Sequence, residues 1–231
     1  MKKVGIIFAM LEELEAFKGY LNFEKEYTIF ELTFYEGTLH GIHCILVESG
    51  VGKVNAARTT QILIDNYKVD YIFNIGVAGG ISEKLAVGDI VIGEKLVQHD
   101  FDITAFNHEK GYVPKVGKFV ETDIYLLTIA DAVIKKMSEV RGFRGIIASG
   151  DIFCTETKMS SKIAQKFNAL CVEMEGASIA QVCYLSHVPF LIIRSISDVP
   201  NNDNVVTYEE FYKKSCDVVA HFMDNVLDEL K

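Results

Sequence analysis

The sequence predicts an α/β protein in which helices cover both faces of a central mixed β-sheet, giving three layers in one domain. Apolar segments of strand length alternate with segments of helical period along the chain, an order typical of a sheet packed between helices. An early pair of alternating segments flanks residues 37–41, a hairpin signal that places antiparallel strands in the same sheet. Because no linker or repeat interrupts the chain, we assign residues 1–231 to one domain.

The predicted elements follow from apolar runs, alternation and helical period, taken in chain order. The segment 71–75 is almost wholly apolar, which predicts a strand buried on both faces. Strands are predicted at residues 3–8, 27–35, 42–48, 71–75, 89–96, 145–149, 169–172 and 190–195. Helices are predicted at residues 11–21, 54–67, 123–137, 158–167, 178–185 and 208–230.

Composition excludes several classes of function. A formal net charge of -9 and the lack of any Lys/Arg run argue against a nucleic-acid or anionic-membrane surface. Apolar runs stay below the ~20 residues of a membrane span. Five cysteines without CxxC spacing favour reduced thiols in the cytoplasm. The six histidines form no ligand cluster, and His40 and His43 flank a hairpin turn, so we expect no metal ion and no cofactor.

Residues 98–117 show no periodicity. Loops longer than ~12–15 residues in a compact domain are usually functional or belong to an interface. A plain surface excursion is the alternative, but the apolar side chains of this segment favour a partner surface.

The most informative motif is Glu173-Met174-Glu175, where a predicted strand runs into a helix. In an extended chain the two carboxylates point to one face and Met174 to the other. Ligands usually bind at the carboxyl ends of strands in α/β sheets. A carboxylate placed there can accept hydrogen bonds from two vicinal hydroxyls, which suits a sugar ring.

Four further segments place polar or glycine-rich residues after apolar strands. Each is weak by itself, because a glycine pair after a strand is as often a tight turn as a ligand cradle. The segments are residues 9–13 (AMLEE), 76–80 (GVAGG), 149–153 (SGDIF) and 195–199 (SISDV).

In this order and spacing, the motifs resemble the 5'-methylthioadenosine/S-adenosylhomocysteine nucleosidases of the nucleoside phosphorylase superfamily. The strongest parts are VEMEGA at residues 172–177 and RSISD at residues 194–198, and the resemblance spans nearly the whole chain. It implies a nucleoside phosphorylase-like fold and hydrolysis of the N-glycosidic bond of an adenine nucleoside. Some members of the family also cleave 5'-deoxyadenosine or 6-amino-6-deoxyfutalosine.

The resemblance also implies roles for individual residues. Asp198 would be the general acid at N7 of adenine, and Glu13 would activate the attacking water. Glu175 would bind the ribose hydroxyls with Met174 packed on the sugar, whereas Glu173 is expected to be structural. The remaining substrate contacts would come from Phe153 stacked on the purine, the Cys154 backbone at its edge, and Ser197 and Arg194 supporting the carboxyl groups.

The 5' substituent is expected in an apolar pocket. By resemblance, Met10, Val51 and Tyr208 line it, and a second subunit supplies Ile103, Phe106 and Pro114. This arrangement would give residues 98–117 a purpose and implies a homodimer. Val77 stands where some members carry a serine next to the ribose, so the ribose network is expected to differ there.

The reaction needs a general acid beside the purine and carboxylates beside the sugar. Cleavage of the bond builds positive charge on the sugar and negative charge on the purine. Asp198 must be protonated to act as the acid, so burial and nearby carboxylates are expected to raise its pKa.

Alternatives remain for each residue. Glu12 and Glu13 could simply favour the helix dipole, Asp198 could be a turn residue, and Phe153 could fill the core. Cys154 has no apparent histidine partner and is not expected to be a nucleophile.

Two other functions compete with hydrolysis. A purine nucleoside phosphorylase must hold phosphate with cationic donors, but the chain has only four arginines, none before Arg58, and Asn74 precedes the glycine turn where phosphorylases carry an arginine. A non-catalytic nucleoside-binding protein could keep Phe153 and lose Glu13 or Asp198, yet both are present.

Overall fold

The structure is a computed structural model that describes residues 1–199 and 204–230; of residues 204–210 it describes only the backbone. Its strands are β1 (Lys3–Phe8), β2 (Asn22–Ile29), β3 (Leu32–Leu39), β4 (Ile42–Glu48), β5 (Tyr71–Gly80), β6 (Ile90–Gln98), β7 (Val120–Glu121), β8 (Gly142–Ser149), β9 (Ala169–Glu173) and β10 (Phe190–Asp198). Its α-helices are α1 (Leu11–Lys18), α2 (Lys53–Ile62), α3 (Ile124–Lys136), α4 (Thr157–Phe167), α5 (Gly176–Ser186) and α6 (Asn204–Glu229).

The sheet is mixed and part of it closes on itself. Its strands run in the order β10-β6-β8-β9-β5-β1-β4-β3-β2, and β10 also pairs with β5. That extra parallel pairing joins five strands into a ring, from which β1, β4, β3 and β2 extend as an open sheet. The predicted fold class is confirmed, and the ring is a feature that local sequence patterns do not reveal.

Two apolar cores lie on opposite faces of the sheet, and strand alternation sends side chains to each. Val4, Ile6 and Phe8 of β1 face the core shared with α1, α3 and α6. Ile7 faces the other core, which α2 and α5 cover. A smaller core lies under α4. The strands are thus held from both sides, which fixes the positions of their carboxyl ends.

Three helix ends follow from local chemistry. Asp123 caps α3 by accepting hydrogen bonds from two backbone N–H groups of its first turn. Asn168 and His187 end α4 and α5 in the left-handed conformation. Among the described residues, none of the helices has the length and the apolar character that crossing a membrane requires.

The structure corrects two predicted strands. The segment 27–35 is not one strand, because Phe30 and Glu31, both with positive φ, form a turn between β2 and β3. Neither residue is glycine, so the turn lacked its usual sequence signal. Residues 76–80 are not a turn after a strand; they continue β5, where Gly79 and Gly80 pair with β9.

Candidate active site

A cleft opens at the carboxyl ends of β1, β5, β9 and β10. Ten of the residues predicted to form the site line it, namely Met10, Glu13, Val51, Val77, Phe153, Cys154, Met174, Glu175, Ser197 and Asp198. The structure therefore brings together predicted residues from six separate segments.

Glu13 is buried at the start of α1, and backbone groups hold its carboxylate. Oε2 accepts hydrogen bonds from the Ala9 and Met10 N–H groups at 2.9 and 3.2 Å. Oε1 accepts one from the Val77 N–H at 3.1 Å. Burial raises the pKa of the Glu13 carboxyl, while the charge of Arg194 and these three N–H groups oppose the rise. Glu13 thus caps its helix and faces the cleft at the same time.

Glu173 organises the turn from β9 into α5. Its Oε2 accepts hydrogen bonds from the N–H groups of Glu175 and Gly176, at 3.2 and 2.7 Å, and from the Arg194 guanidinium. Its Oε1 accepts one from the Ser149 hydroxyl. With both oxygens occupied by the protein, Glu173 has the structural role predicted for it.

Glu175 does not share a strand face with Glu173, which corrects the geometry expected from an extended chain. β9 ends at Glu173, and Glu175 is the residue before the first turn of α5, with φ -131° and ψ -44°. Its Oε1 accepts a hydrogen bond from the Gly52 N–H at 2.8 Å. Burial, with the nearby Glu173 charge, raises the pKa of Glu175 to about 7.

Asp198 ends β10 and is only 2% exposed. The Ser197 hydroxyl donates a 2.8 Å hydrogen bond to its Oδ1. Cys154 lies near it, and burial together with the Asp198 charge raises the pKa of the Cys154 thiol. The neighbouring Phe153 ring is 48% exposed, so it is available to a ligand and does not fill the core.

Four predicted site residues whose side chains the structure describes do not line this cleft. Arg194 is buried behind it, where it binds Glu173 and Asn74. Ile103, Phe106 and Pro114 lie in the segment between β6 and β7, and Phe106 is 76% exposed. Tyr208 belongs to α6, but its side chain lies outside the described part of the structure.

A polar network beside the cleft was not predicted from the sequence. The Lys53 ammonium binds Asp100 at 2.7 Å, and the Lys53 N–H donates to Asp151 at 2.9 Å. The Asp151 N–H in turn donates to Asp100 at 3.0 Å. Gly50 and Gly52, both with positive φ, are the sequence signals that could have marked this turn. The network ties α2 to both loops beside Phe153.

The charge of the cleft is negative. Four carboxyl groups line it, and among the described lining residues none is lysine or arginine. Within the same described residues, no group of three histidine, cysteine, aspartate or glutamate side chains is arranged to hold a metal ion. The arrangement can bind hydroxyl groups and position a proton donor opposite a general base.

Comparison with known proteins places this fold and site in a family. The family model of the phosphorylase superfamily matches residues 3–230, so the chain belongs to that superfamily. Within it, the chain belongs to the 5'-methylthioadenosine/S-adenosylhomocysteine nucleosidases. The enzyme of that name from Bacillus thuringiensis (strain Al Hakam) is 37% identical over 230 residues, covering 99% of this chain and 100% of the relative. The resemblance seen in the sequence is thereby confirmed.

Solved structures of similar proteins have the same fold as this chain. An S-adenosylhomocysteine nucleosidase from Streptococcus pyogenes, in complex with 5-methylthiotubericidin, has a TM-score of 0.96 and 34% identity, covering 100% of this chain and 98% of that one. Futalosine hydrolase of Helicobacter pylori strain 26695 has a TM-score of 0.95 and 33% identity, covering 99% of this chain and 98% of that one.

Proposed function

We propose that this protein hydrolyses the N-glycosidic bond of 5'-methylthioadenosine and S-adenosylhomocysteine, releasing adenine and the 5-substituted ribose. The observation that carries the proposal is that three buried carboxyl groups, Glu13, Glu175 and Asp198, meet the exposed Phe153 ring in one cleft. The names of the relatives support the same activity.

Asp198 is the general acid in this proposal. As the C1'–N9 bond breaks, its electrons move into the purine, and a proton from Asp198 reaches N7 so that adenine leaves neutral. The Ser197 hydroxyl donates a hydrogen bond to Oδ1 and so orients this carboxyl group. Positioned proton transfer of this kind contributes typically ~10²–10⁴-fold to the rate.

Glu13 and Glu175 act on the sugar side. Glu13 takes a proton from the water that attacks C1', and a raised pKa brings this base closer to the working pH. Glu175 accepts hydrogen bonds from the ribose hydroxyls, while the Gly52 N–H fixes its other contact. Met174 packs on the sugar, Phe153 stacks on the purine and the Cys154 backbone contacts the purine edge.

The test is adenine release in phosphate-free buffer with methylthioadenosine as substrate, followed with Asp198→Asn as control. We expect free 5-methylthioribose and adenine from the parent protein and a large loss in the variant. Cleavage that requires phosphate and gives ribose 1-phosphate would make the protein a phosphorylase. Binding without adenine release would make it a nucleoside-binding protein.

The substrate range is measured in the same assay. Because futalosine hydrolase is among the similar structures, 6-amino-6-deoxyfutalosine and 5'-deoxyadenosine are tested beside methylthioadenosine and S-adenosylhomocysteine. All five cysteines are buried thiols, which supports function in the reducing cytoplasm.

A homodimer completes the site in this proposal. Val51 and Ile152 at the cleft are 44% and 45% exposed, and Phe106 is 76% exposed on the 98–117 segment. Such apolar side chains fit an interface. Each subunit would receive Ile103, Phe106 and Pro114 from its partner, next to its own Met10, Val51 and Tyr208.

Complementation tests the shared site. Glu13→Gln and Phe106→Asp proteins are each expected to lose activity, one through its own site and one through its partner's. After unfolding and refolding of an equal mixture, half of the dimers are mixed and one of their two sites is complete, so about a quarter of the activity returns. A mixture that stays inactive, or a fully active monomer, would contradict the proposal.

A further inference from the structure

The Glu13 carboxylate lies in a small amide nest, which we define as the backbone N–H groups of Ala9, Met10 and Val77. Three donors converge on two oxygens at 2.9, 3.2 and 3.1 Å. Two of them precede the first turn of α1, and the third comes from β5. Donors from two elements that converge on one carboxylate form an anion-binding arrangement.

The surroundings of the nest favour an anion as well. Glu13 is 4% exposed, and the positive charge of Arg194 acts on its carboxylate. Arg194 is itself buried, and its Nε has no hydrogen-bond partner. Gly76 keeps the space open, because an added Cβ there would lie 2.5 Å from Glu13 Oε1.

We propose that the amide nest is an anion-binding site which the protein fills with its own Glu13 carboxylate, and that this filling keeps free oxyanions off the face where water attacks. The inference rests on the proposed hydrolysis and deepens it. The absence of arginine before residue 58 suggested that no anion could bind near β1. The structure provides backbone donors there instead, so Glu13 decides whether the nest is open.

Removing the side chain opens the nest. In Glu13→Ala, formate has the charge and the size to occupy the vacated position. Bound formate then accepts one proton from water as the water oxygen bonds to C1', while the C1'–N9 electrons move into the purine and Asp198 supplies a proton to N7. The products are those of the parent enzyme, with formic acid in place of protonated Glu13.

The experiment compares the parent, Glu13→Ala and Glu13→Gln proteins with and without sodium formate, against sodium chloride at equal ionic strength. Two readouts are taken, the Tm and the release of adenine from methylthioadenosine. For Glu13→Ala we expect formate to raise the Tm and to restore adenine release at least about tenfold. The parent and Glu13→Gln proteins keep the nest occupied, so neither readout responds to formate.

A Glu13→Ala protein that responds to formate no more than to chloride in both readouts would overturn the proposal. Glu13→Ser, which retains a hydrogen-bond acceptor at the helix start, is the second variant. If neither variant folds even in formate, the proposal also fails, because a working site gains stability from its ligand. An inactive parent enzyme would instead refute the proposed hydrolysis, and the formate-dependent Tm would still report on the nest.

Discussion

Arg194 and Glu173 form an ion pair in which each side chain exposes only 2% of its surface. The guanidinium also donates to the Asn74 carbonyl and side chain, and its charge acts on Glu13 and Glu175. One cation behind the cleft therefore acts on three carboxyl groups that line it. The pair also positions Glu175, since Glu173 in turn caps the helix that begins after Glu175.

Breaking this pair is expected to destabilise the fold. Glu173→Ala leaves a buried guanidinium uncompensated and uncaps α5, and we expect a loss of about 3–5 kcal/mol in the free energy of unfolding. Urea denaturation measures the loss. Glu173→Leu combined with Arg194→Met should recover a large part of it, because neither charge then remains buried.

The control for that experiment is the exposed pair Lys95–Glu121, with side chains 39% and 72% exposed. Glu121→Ala should leave the urea midpoint nearly unchanged. A Glu173→Ala midpoint equal to that of Glu121→Ala would refute the structural role of Glu173.

The raised pKa of Glu175 predicts a pH-dependent stability. Burial raises it from 4.5 to about 7, so the folded protein keeps this proton where the unfolded chain releases it. Protonated Glu175 thus adds about 3 kcal/mol to the free energy of unfolding below about pH 4.5, and this contribution is lost as the pH rises towards 7. Glu175→Gln should remove this decline, so its stability relative to the parent rises between pH 5 and pH 8.

Urea denaturation across this pH range tests the prediction without substrate. Glu83→Gln serves as the matched control, because it makes the same change at an exposed position. If both variants followed the parent pH profile in parallel, Glu175 would not retain its proton on folding.

Gly76 sets the position of Glu13. An added Cβ would lie 2.5 Å from Oε1, so Gly76→Ala must displace the carboxylate from its N–H donors. Overpacking costs about 1–3 kcal/mol, and misplacing a catalytic group by about 1 Å costs about 10²-fold in rate. We expect kcat to fall by this factor while the protein still folds. Gly19→Ala, which meets nothing within 4 Å, should leave kcat unchanged; equal kcat for both variants would contradict the constraint.

Strand-end motifs predicted that Glu13, Glu175 and Asp198 lie close together, and the structure brings all three into one cleft. Each lies at or shortly after the end of a buried apolar strand, which is a local pattern. The ring closed by the β5–β10 pairing could not be predicted, since register between distant strands depends on packing that no local pattern encodes.

Contacts made by backbone groups could not be predicted from the sequence either. The Gly52 N–H that binds Glu175 comes from a turn 123 residues away, and the Val77 N–H that binds Glu13 comes from β5, 64 residues away. Every residue type except proline supplies such a donor, so composition carries almost no signal for these contacts. The resemblance implied that Arg194 supports the carboxyl groups, but no local pattern identified Glu173 as the carboxylate that it pairs with.

The five thiols are expected to be unreactive in the folded protein. Burial raises the pKa of Cys44 and Cys216 to about 12 and also raises those of Cys154, Cys171 and Cys183. Titration with Ellman's reagent at pH 8 should proceed slowly in buffer and give five thiols in denaturant. Rapid modification of one thiol, above all Cys154 in the cleft, would revive a role for it in chemistry.

The role of Asp198 is tested most sharply by the leaving group. Adenine needs a proton to leave as a neutral base, whereas 4-nitrophenolate leaves readily without one. Asp198→Asn is therefore expected to lower kcat for methylthioadenosine by ~10²–10⁴-fold and to leave cleavage of a 4-nitrophenyl riboside nearly intact. Ser197→Ala, which removes the donor to Oδ1, should show a smaller loss with the same selectivity. Equal losses on both substrates would mean that Asp198 organises the cleft instead of donating a proton, because a purely structural defect impairs both leaving groups alike.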